Sequence, residues 1–371
     1  MNLNNDYAEL IKKSNMYDKS LFLADGVIDY KNRDLLKVKK WDIYLNADTL
    51  HTYNYEQGSR ELREEYLNIS GLQNICELKN ILVSTGSTSA LYATIKLVKN
   101  LKKSKVLLVA PCWSMYGIIC NNLGIRSSYC IPKDKVAWKH TFDDLKESMD
   151  SDVGAIVIAN PGNPTGELFS DELLEQIYLY CKTQKIFLFL DETYWGLPDK
   201  RSDFINMYAG DENLVIIRSL SKYFCMAGIR IGFVLTTEKI ASQVEENLRA
   251  MNLTCSPICQ EIALRVLQNK MIEDYDYNFI VKNLNKFKKL EDKYESIHVV
   301  TPEAGFFLTF SIGQKEYVDF DNLFNKTKLI FRDGNGFQMK GYFRANLSLN
   351  EKIIDETVRR LTEYLETIEK G

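Results

Sequence analysis

The sequence predicts an α/β protein, a mainly parallel sheet covered on both faces by helices, joined to a smaller α+β domain. Three observations carry this. Short, wholly apolar runs recur between residues 80 and 236, and strands apolar on both faces belong to sheets buried on both faces. Helix-like segments lie between them, as a βαβ repeat requires. The pattern then changes after about residue 237, where long helical stretches precede a few strands. At 371 residues the chain exceeds what one core organises, which also points to two domains.

The elements follow in order. Apolar runs at 80–84, 105–110, 154–160, 185–191, 213–218 and 231–236 read as buried strands. Residues 87–99 read as a helix, with Ala90, Leu91, Ile95 and Leu97 near a 3.6 period. Residues 171–183 form another, with Ser170 as its N-cap and Glu172 and Glu175 in its first turns. Beyond 237, residues 238–251 and 257–290 read as largely helical. Strands are expected at 297–301, 305–310 and 342–347, a helix at 318–325, and an amphipathic closing helix at 350–369. The domains are drawn as an N-terminal segment 1–45 packing on the small domain, a large domain 46–245 and a small domain 246–371.

Composition narrows the function. Apolar residues make up 45% and charged residues 26%, as in soluble globular proteins. The net charge is −3 and no basic stripe appears, so no nucleic-acid partner is expected. The densest basic run, Lys102, Lys103 and Lys105, reads as a solvated turn. No apolar run approaches the ~20 residues that span a bilayer. The first residues are polar rather than an export leader. Eight scattered cysteines without a CxxC pair then fit a reducing cytoplasm. Only His51, His140 and His298 occur, none in a motif-like setting, so no metal site is expected. No GxGxxG follows a strand, which argues against a dinucleotide enzyme.

The chemistry concentrates in a few segments. Ser219-Leu-Ser-Lys222-Tyr-Phe-Cys-Met-Ala-Gly228-Ile-Arg230-Ile-Gly232 is the strongest. It resembles the lysine signature of the fold-type I, class I/II aminotransferases, in which small residues precede the lysine and Gly-x-Arg-x-Gly follows. The resemblance implies that Lys222 carries pyridoxal 5′-phosphate (PLP) as a Schiff base and, once freed, moves a proton at the substrate's α-carbon. It implies a planar fork from Arg230 to the cofactor phosphate, with Ser219 and Ser221 as hydroxyl donors. It also implies the family fold, aspartate-aminotransferase-like, with a seven-stranded sheet.

The remaining landmarks appear in the family's order, across roughly residues 50 to 350. Asn160-Pro-Gly-Asn163-Pro-Thr-Gly166 is similar to the loop whose second asparagine donates to the cofactor's phenolic oxygen, which assigns Asn163. Asp191-Glu-Thr-Tyr194 resembles the Asp-x-x-Tyr pair. There Asp191 holds the pyridine nitrogen protonated, and Tyr194 bonds the phenolic oxygen. Ser84-Thr-Gly86-Ser87-Thr88 resembles the phosphate cup at a helix N-terminus, bringing in Gly86, Ser87 and Thr88. Pro111-Cys-Trp113-Ser-Met-Tyr116 resembles the family's Pro-x-aromatic-x-x-Tyr, which implies that Trp113 stacks on the cofactor ring. The segment around Gly58 implies that Tyr53 or Tyr55 reaches the phosphate of a neighbouring subunit, so a homodimer with a shared site is expected. Arg344 is the expected grip on the substrate α-carboxylate, although residues 334–341 depart from the family pattern, where a glycine and a longer loop are usual.

The resemblance therefore implies transfer of an amino group between an L-amino acid and a 2-oxo acid. The alternative is a non-transaminating PLP enzyme of the same fold: a decarboxylase, lyase, oxidase or cyclase. No second arginine stands out for a dicarboxylate side chain. Trp195, Tyr30 and Phe337 suggest a broad or apolar pocket.

Overall fold

The structure, a computed structural model, describes residues 20–29, 51, 53, 57–198, 202–268, 277–313 and 320–370. Seven strands form the larger sheet: β2 (Ile81–Ser84), β3 (Lys105–Val109), β4 (Arg126–Cys130), β5 (Val153–Ala159), β6 (Phe187–Asp191), β7 (Leu214–Ser219) and β8 (Gly232–Leu235). Their order is β2-β8-β7-β6-β5-β3-β4. All pairs are parallel except those of β8, which runs antiparallel to both β2 and β7.

The apolar strands are buried on both faces by alternation. Along β5, Ile156 and Ile158 enter one core while Ala155, Val157 and Ala159 enter the other. Likewise Leu188 and Leu190 of β6 join Leu214 and Ile216 of β7 on the first face, and Phe189 joins Val215 and Ile217 on the second. The first core is closed by Leu62, Tyr66 and Leu67 of helix Arg60–Ser70 and by Leu174, Ile177 and Cys181 of helix Asp171–Gln184. Ser170 caps the latter, its hydroxyl accepting from Leu173 N. Helices Gly86–Ile95, Met115–Leu123 and Glu238–Asn252 cover the second face.

A four-stranded antiparallel sheet follows: β9 (Ile297–Val300), β10 (Phe307–Ile312), β12 (Arg332–Asp333) and β13 (Phe343–Asn346), in the order β12-β13-β10-β9. Ile280, Leu284 and Phe287 of helix Asn278–Lys293, and Ile354, Leu361 and Leu365 of helix Glu351–Glu369, pack against it at helical spacing. Residues 20–29 join this part of the molecule. There β1 (Leu21–Phe22) pairs in parallel with β11 (Leu329–Ile330), and Leu23 O accepts from Asn346 N. Residues 1–19 and 30–45 of the expected N-terminal segment lie outside the described residues.

One strand of the larger sheet is not among the apolar runs. The seventh strand, β4, has no apolar run because it is an edge strand: its Arg-Ser-Ser-Tyr-Cys sequence is largely exposed. The stretch 257–290, read as largely helical, includes the helices Pro257–Gln268 and Asn278–Lys293. Residues 334–341, where the sequence departs from the family's longer loop, are compact. Gly334–Phe337 form one tight helical turn, Met339 N donates to Gly334 O, and Gly334 N donates to Tyr342 O.

Candidate active site

The sheet delivers its functional residues at one edge. Strands β5, β6 and β7 end at Ala159, Asp191 and Ser219, and helix Gly86–Ile95 starts just beyond β2. These are carboxyl ends of parallel strands, where open α/β sheets place ligands. Alternation decides which acid faces the site. Asp191 follows Phe187 and Phe189 onto the second face, whereas Glu192 turns to the first. There Glu192 accepts from Arg218 Nε at 2.7 Å, with both side chains buried, and the guanidinium lies 4.7 Å from the Trp195 ring.

Asp191 is 4% exposed. Its Oδ1 accepts from Thr193 N at 3.0 Å and Thr193 Oγ1 at 2.6 Å, and its Oδ2 accepts from Tyr116 Oη at 2.5 Å. Burial raises the carboxyl pKa, and these hydrogen bonds oppose the rise. Lys222 Nζ donates to Gly26 O at 2.6 Å and lies 5.7 Å from the centroid of the Tyr194 ring. Burial lowers its pKa to about 8, helped by the neighbouring Arg344. Tyr194 packs against Phe306 and Phe307, and burial pushes its phenol up.

Arg344 leaves β13 to donate to Asn163 Oδ1 at 2.9 Å and to Ala24 O at 3.0 Å. Its guanidinium stacks 3.9 Å from the Phe307 centroid and 5.0 Å from that of Phe337. Arg230 sits at φ 56°, a left-handed conformation that costs a non-glycine residue about 1–2 kcal/mol. The turn brings its guanidinium over Gly86, where an added Cβ would lie 2.4 Å from Nη2. Gly232 is equally constrained, because a Cβ there would meet Gly86 C at 2.7 Å and Ser87 N at 2.8 Å. The N-terminus of helix Gly86–Ile95 therefore rests directly on the start of β8.

One cavity of 660 Å³ gathers these groups, a size suited to a small-molecule ligand. Of the residues singled out from sequence, Ser87, Thr88, Trp113, Asn163, Asp191, Tyr194, Ser221, Lys222, Arg230 and Arg344 line it. Gly86 lies beneath Arg230. Ser219 is fully buried behind Ser221, donating to its hydroxyl at 2.8 Å. Tyr53 is 81% exposed and away from the cavity, and Tyr55 and Tyr30 fall outside the described residues. Trp195 is not in the pocket but against Arg218 and Tyr66. Sequence reasoning gave no role to Tyr116, though it quoted the motif containing it, and passed over Gly26 and Arg332, which also line the cavity.

The residues present fit PLP. An amine of lowered pKa, a buried carboxylate, an aromatic wall, and a guanidinium beside hydroxyls at a helix N-terminus are what an aldehyde-bearing pyridine phosphate requires. The glycine cradle under Arg230 keeps that last corner open.

Residues 19–361 match the family model for aminotransferase class I and II. The chain is 27% identical over 339 residues to a probable aspartate/prephenate aminotransferase of Aquifex aeolicus, spanning 85% of this chain and 84% of that protein. It is 27% identical over 334 residues to a histidinol-phosphate aminotransferase of Buchnera aphidicola, spanning 85% and 89%. The fold is shared with the aspartate aminotransferase of Thermotoga maritima, with a TM-score of 0.82 at 20% identity over 99% of this chain and 96% of that one. It is shared too with an aromatic aminotransferase of Pyrococcus horikoshii, with a TM-score of 0.80 at 20% identity over 97% and 99%. The chain belongs to the class I and II aminotransferases and is an enzyme of amino-group transfer.

Proposed function

We propose that this enzyme moves an amino group between an L-amino acid and a 2-oxo acid, with Lys222 as the residue that holds PLP. The observation that carries the reading is the convergence of Lys222, Asp191, Asn163, Tyr194, Arg230 and Arg344 on one cavity. When bound, the cofactor supplies an aldehyde that accepts the amino group and a ring that withdraws electrons from the α-carbon. Asp191 would hold the pyridine nitrogen, kept in place by Tyr116 and Thr193. Arg230, Ser87, Thr88 and Ser221 would hold the phosphate, and Trp113 the ring face. Asn163 and Tyr194 would meet the phenolic oxygen. Arg344, stacked on Phe307 and Phe337, presents its fork to the substrate α-carboxylate. The Lys222 amine, with a pKa of about 8, takes the α-proton and returns it on the other side of the transfer.

A homodimer completes this reading. Tyr53, at 81% exposure, would reach a partner's phosphate. Residues 46–245 would form the large domain and 246–371 the small one. Among the described residues no helix is long and apolar enough to cross a membrane, and all eight cysteines are free thiols, which favours a reducing cytoplasm.

The test is a spectral titration of the PLP-loaded protein with a panel of amino acids, followed by mass analysis. Conversion to the pyridoxamine form with release of a 2-oxo acid is expected, as is its loss in Lys222→Ala. Release of carbon dioxide or ammonia instead, or retained turnover in Lys222→Ala, would overturn the reading.

A further inference from the structure

Two of the loops that wall the cavity are joined by a buried side chain that the proposed reaction does not use. Trp113 follows β3, Asn163 follows β5, and both line the cavity. Strands β3 and β5 are parallel neighbours, but their ladder ends at Leu108 and Val157. Strand pairing therefore does not set the spacing of the two loops beyond it.

His140 spans that gap. Its ring is buried, with Nδ1 2.7 Å from Glu167 Oε2 and Nε2 3.0 Å from Ala110 O. Both partners are acceptors, so the ring serves as a two-ended donor. Ala110 opens the loop that carries Trp113. Glu167 closes the loop that carries Asn163, its carbonyl accepting from Gly162 N at 2.8 Å. The other carboxylate oxygen of Glu167 accepts from His140 N at 2.7 Å, so ring and backbone grip one carboxylate together. The ring also stacks on Phe169, 5.4 Å between centroids, and Phe169 N donates to Asn160 Oδ1 at 2.9 Å. Local sequence fixes the approach. Thr141 caps helix Phe142–Ser148, its hydroxyl accepting from Asp144 N while Asp144 Oδ2 accepts from Thr141 N. That reciprocal box sets the direction of the chain at the residue before it.

We propose that His140 is a positioning residue for the cofactor. Through Ala110 and Glu167 it fixes the distance between the Trp113 ring and the Asn163 amide, the two contacts that the pyridine ring has to meet at once. The proposal rests on the reading of Trp113 and Asn163 as cofactor contacts. A misplacement of about 1 Å between such groups is enough to cost a site roughly 100-fold in rate.

The test is a double-mutant cycle on PLP affinity, measured by equilibrium dialysis on protein prepared without PLP, with Tm recorded for each variant. His140→Gln puts one amide donor in place of two opposed nitrogens and should weaken PLP binding roughly tenfold, the scale of one hydrogen bond. In a background carrying Trp113→Ala and Asn163→Ala, the contacts it aligns are gone, and the same substitution should change affinity by less than about twofold. A residue that only stabilises the fold would lower Tm in both backgrounds and show no such dependence. Glu167→Gln keeps the shape of the clamp and loosens it from its other end. It should repeat the background dependence, and it supplies the same readout where His140→Gln does not fold. An unchanged affinity in His140→Gln and Glu167→Gln, or an equal fold-loss in both backgrounds, overturns the proposal. Wild-type PLP affinity in the Trp113→Ala, Asn163→Ala protein itself would sink the cofactor contacts, and the proposal with them.

Discussion

Removing the Tyr116 hydroxyl tests how the buried carboxylate is maintained. Tyr116 is 1% exposed, and its Oη donates to Asp191 Oδ2 at 2.5 Å. Burial and the nearby carboxylate push its phenol well above the usual range, so it remains a donor at every working pH. Tyr116→Phe leaves Asp191 with only the two bonds from Thr193. A hydrogen bond to a charged group contributes about 1.5–3 kcal/mol, so PLP affinity should fall roughly 10- to 150-fold. Burial already raises the Asp191 pKa, and Tyr116 opposes that rise. Without it the pKa climbs further, the ionised fraction at a given pH falls, and the acid limb of kcat/KM moves to higher pH. Fluorescence titration with PLP gives the affinity, and rates across pH give the limb. A packing role alone would lower Tm without moving the limb. An unchanged affinity together with an unmoved acid limb would refute the reasoning.

Three further outcomes follow from the geometry. Gly232→Ala should destabilise the fold by about 1–3 kcal/mol through overpacking and lower PLP affinity, because its Cβ would meet the backbone of Gly86 and Ser87; denaturant melts with and without PLP separate the two effects. In protein prepared without PLP, amine labelling of Lys222 should rise through a pKa of about 8 instead of the usual lysine value, and Arg344→Gln should move that inflection upward; a lysine titrating above 10 would contradict the burial argument. Glu167 accepts from both His140 N and His140 Nδ1 at 2.7 Å in a buried pair, while His140 Nε2 lies 3.0 Å from Ala110 O. Glu167→Ala, which leaves two buried donors of His140 without their acceptor, should therefore lower the unfolding free energy by about 1–3 kcal/mol, and a loss under about 0.5 kcal/mol in urea melts would show the pair to be dispensable.

Much of this site was legible because its chemistry is tied to strand ends. Runs such as Ile186 to Leu190 mark a buried strand, and the polar residue that breaks the run, Asp191, falls at the sheet edge where ligands bind. The missed strand β4 has the opposite character, an edge position that tolerates arginine and serine. Arg332 was illegible for another reason. Its strand is two residues long, and only pairing with β13 brings it beside Arg344. The Tyr116–Asp191 bond joins residues 75 apart in sequence, a distance at which periodicity says nothing about which side chains meet. Tyr53, 81% exposed, marks a further limit, since a residue that would act in a partner's site is not legible from one chain.

The two consecutive acids Asp191 and Glu192 differ by one methylene and by the face to which β6 turns them. A shift of β6 by one residue against β5 and β7 would swap the faces of the two acids, presenting Glu192 on the cavity side and turning Asp191 into the apolar core where Leu190 sits. The strand thus has a reading frame, and its phase carries as much information as its sequence. Conservative substitutions within 187–190 should be tolerated more readily than any single-residue insertion or deletion there, because such a change misassigns both acids at once while leaving every apolar residue in an apolar place.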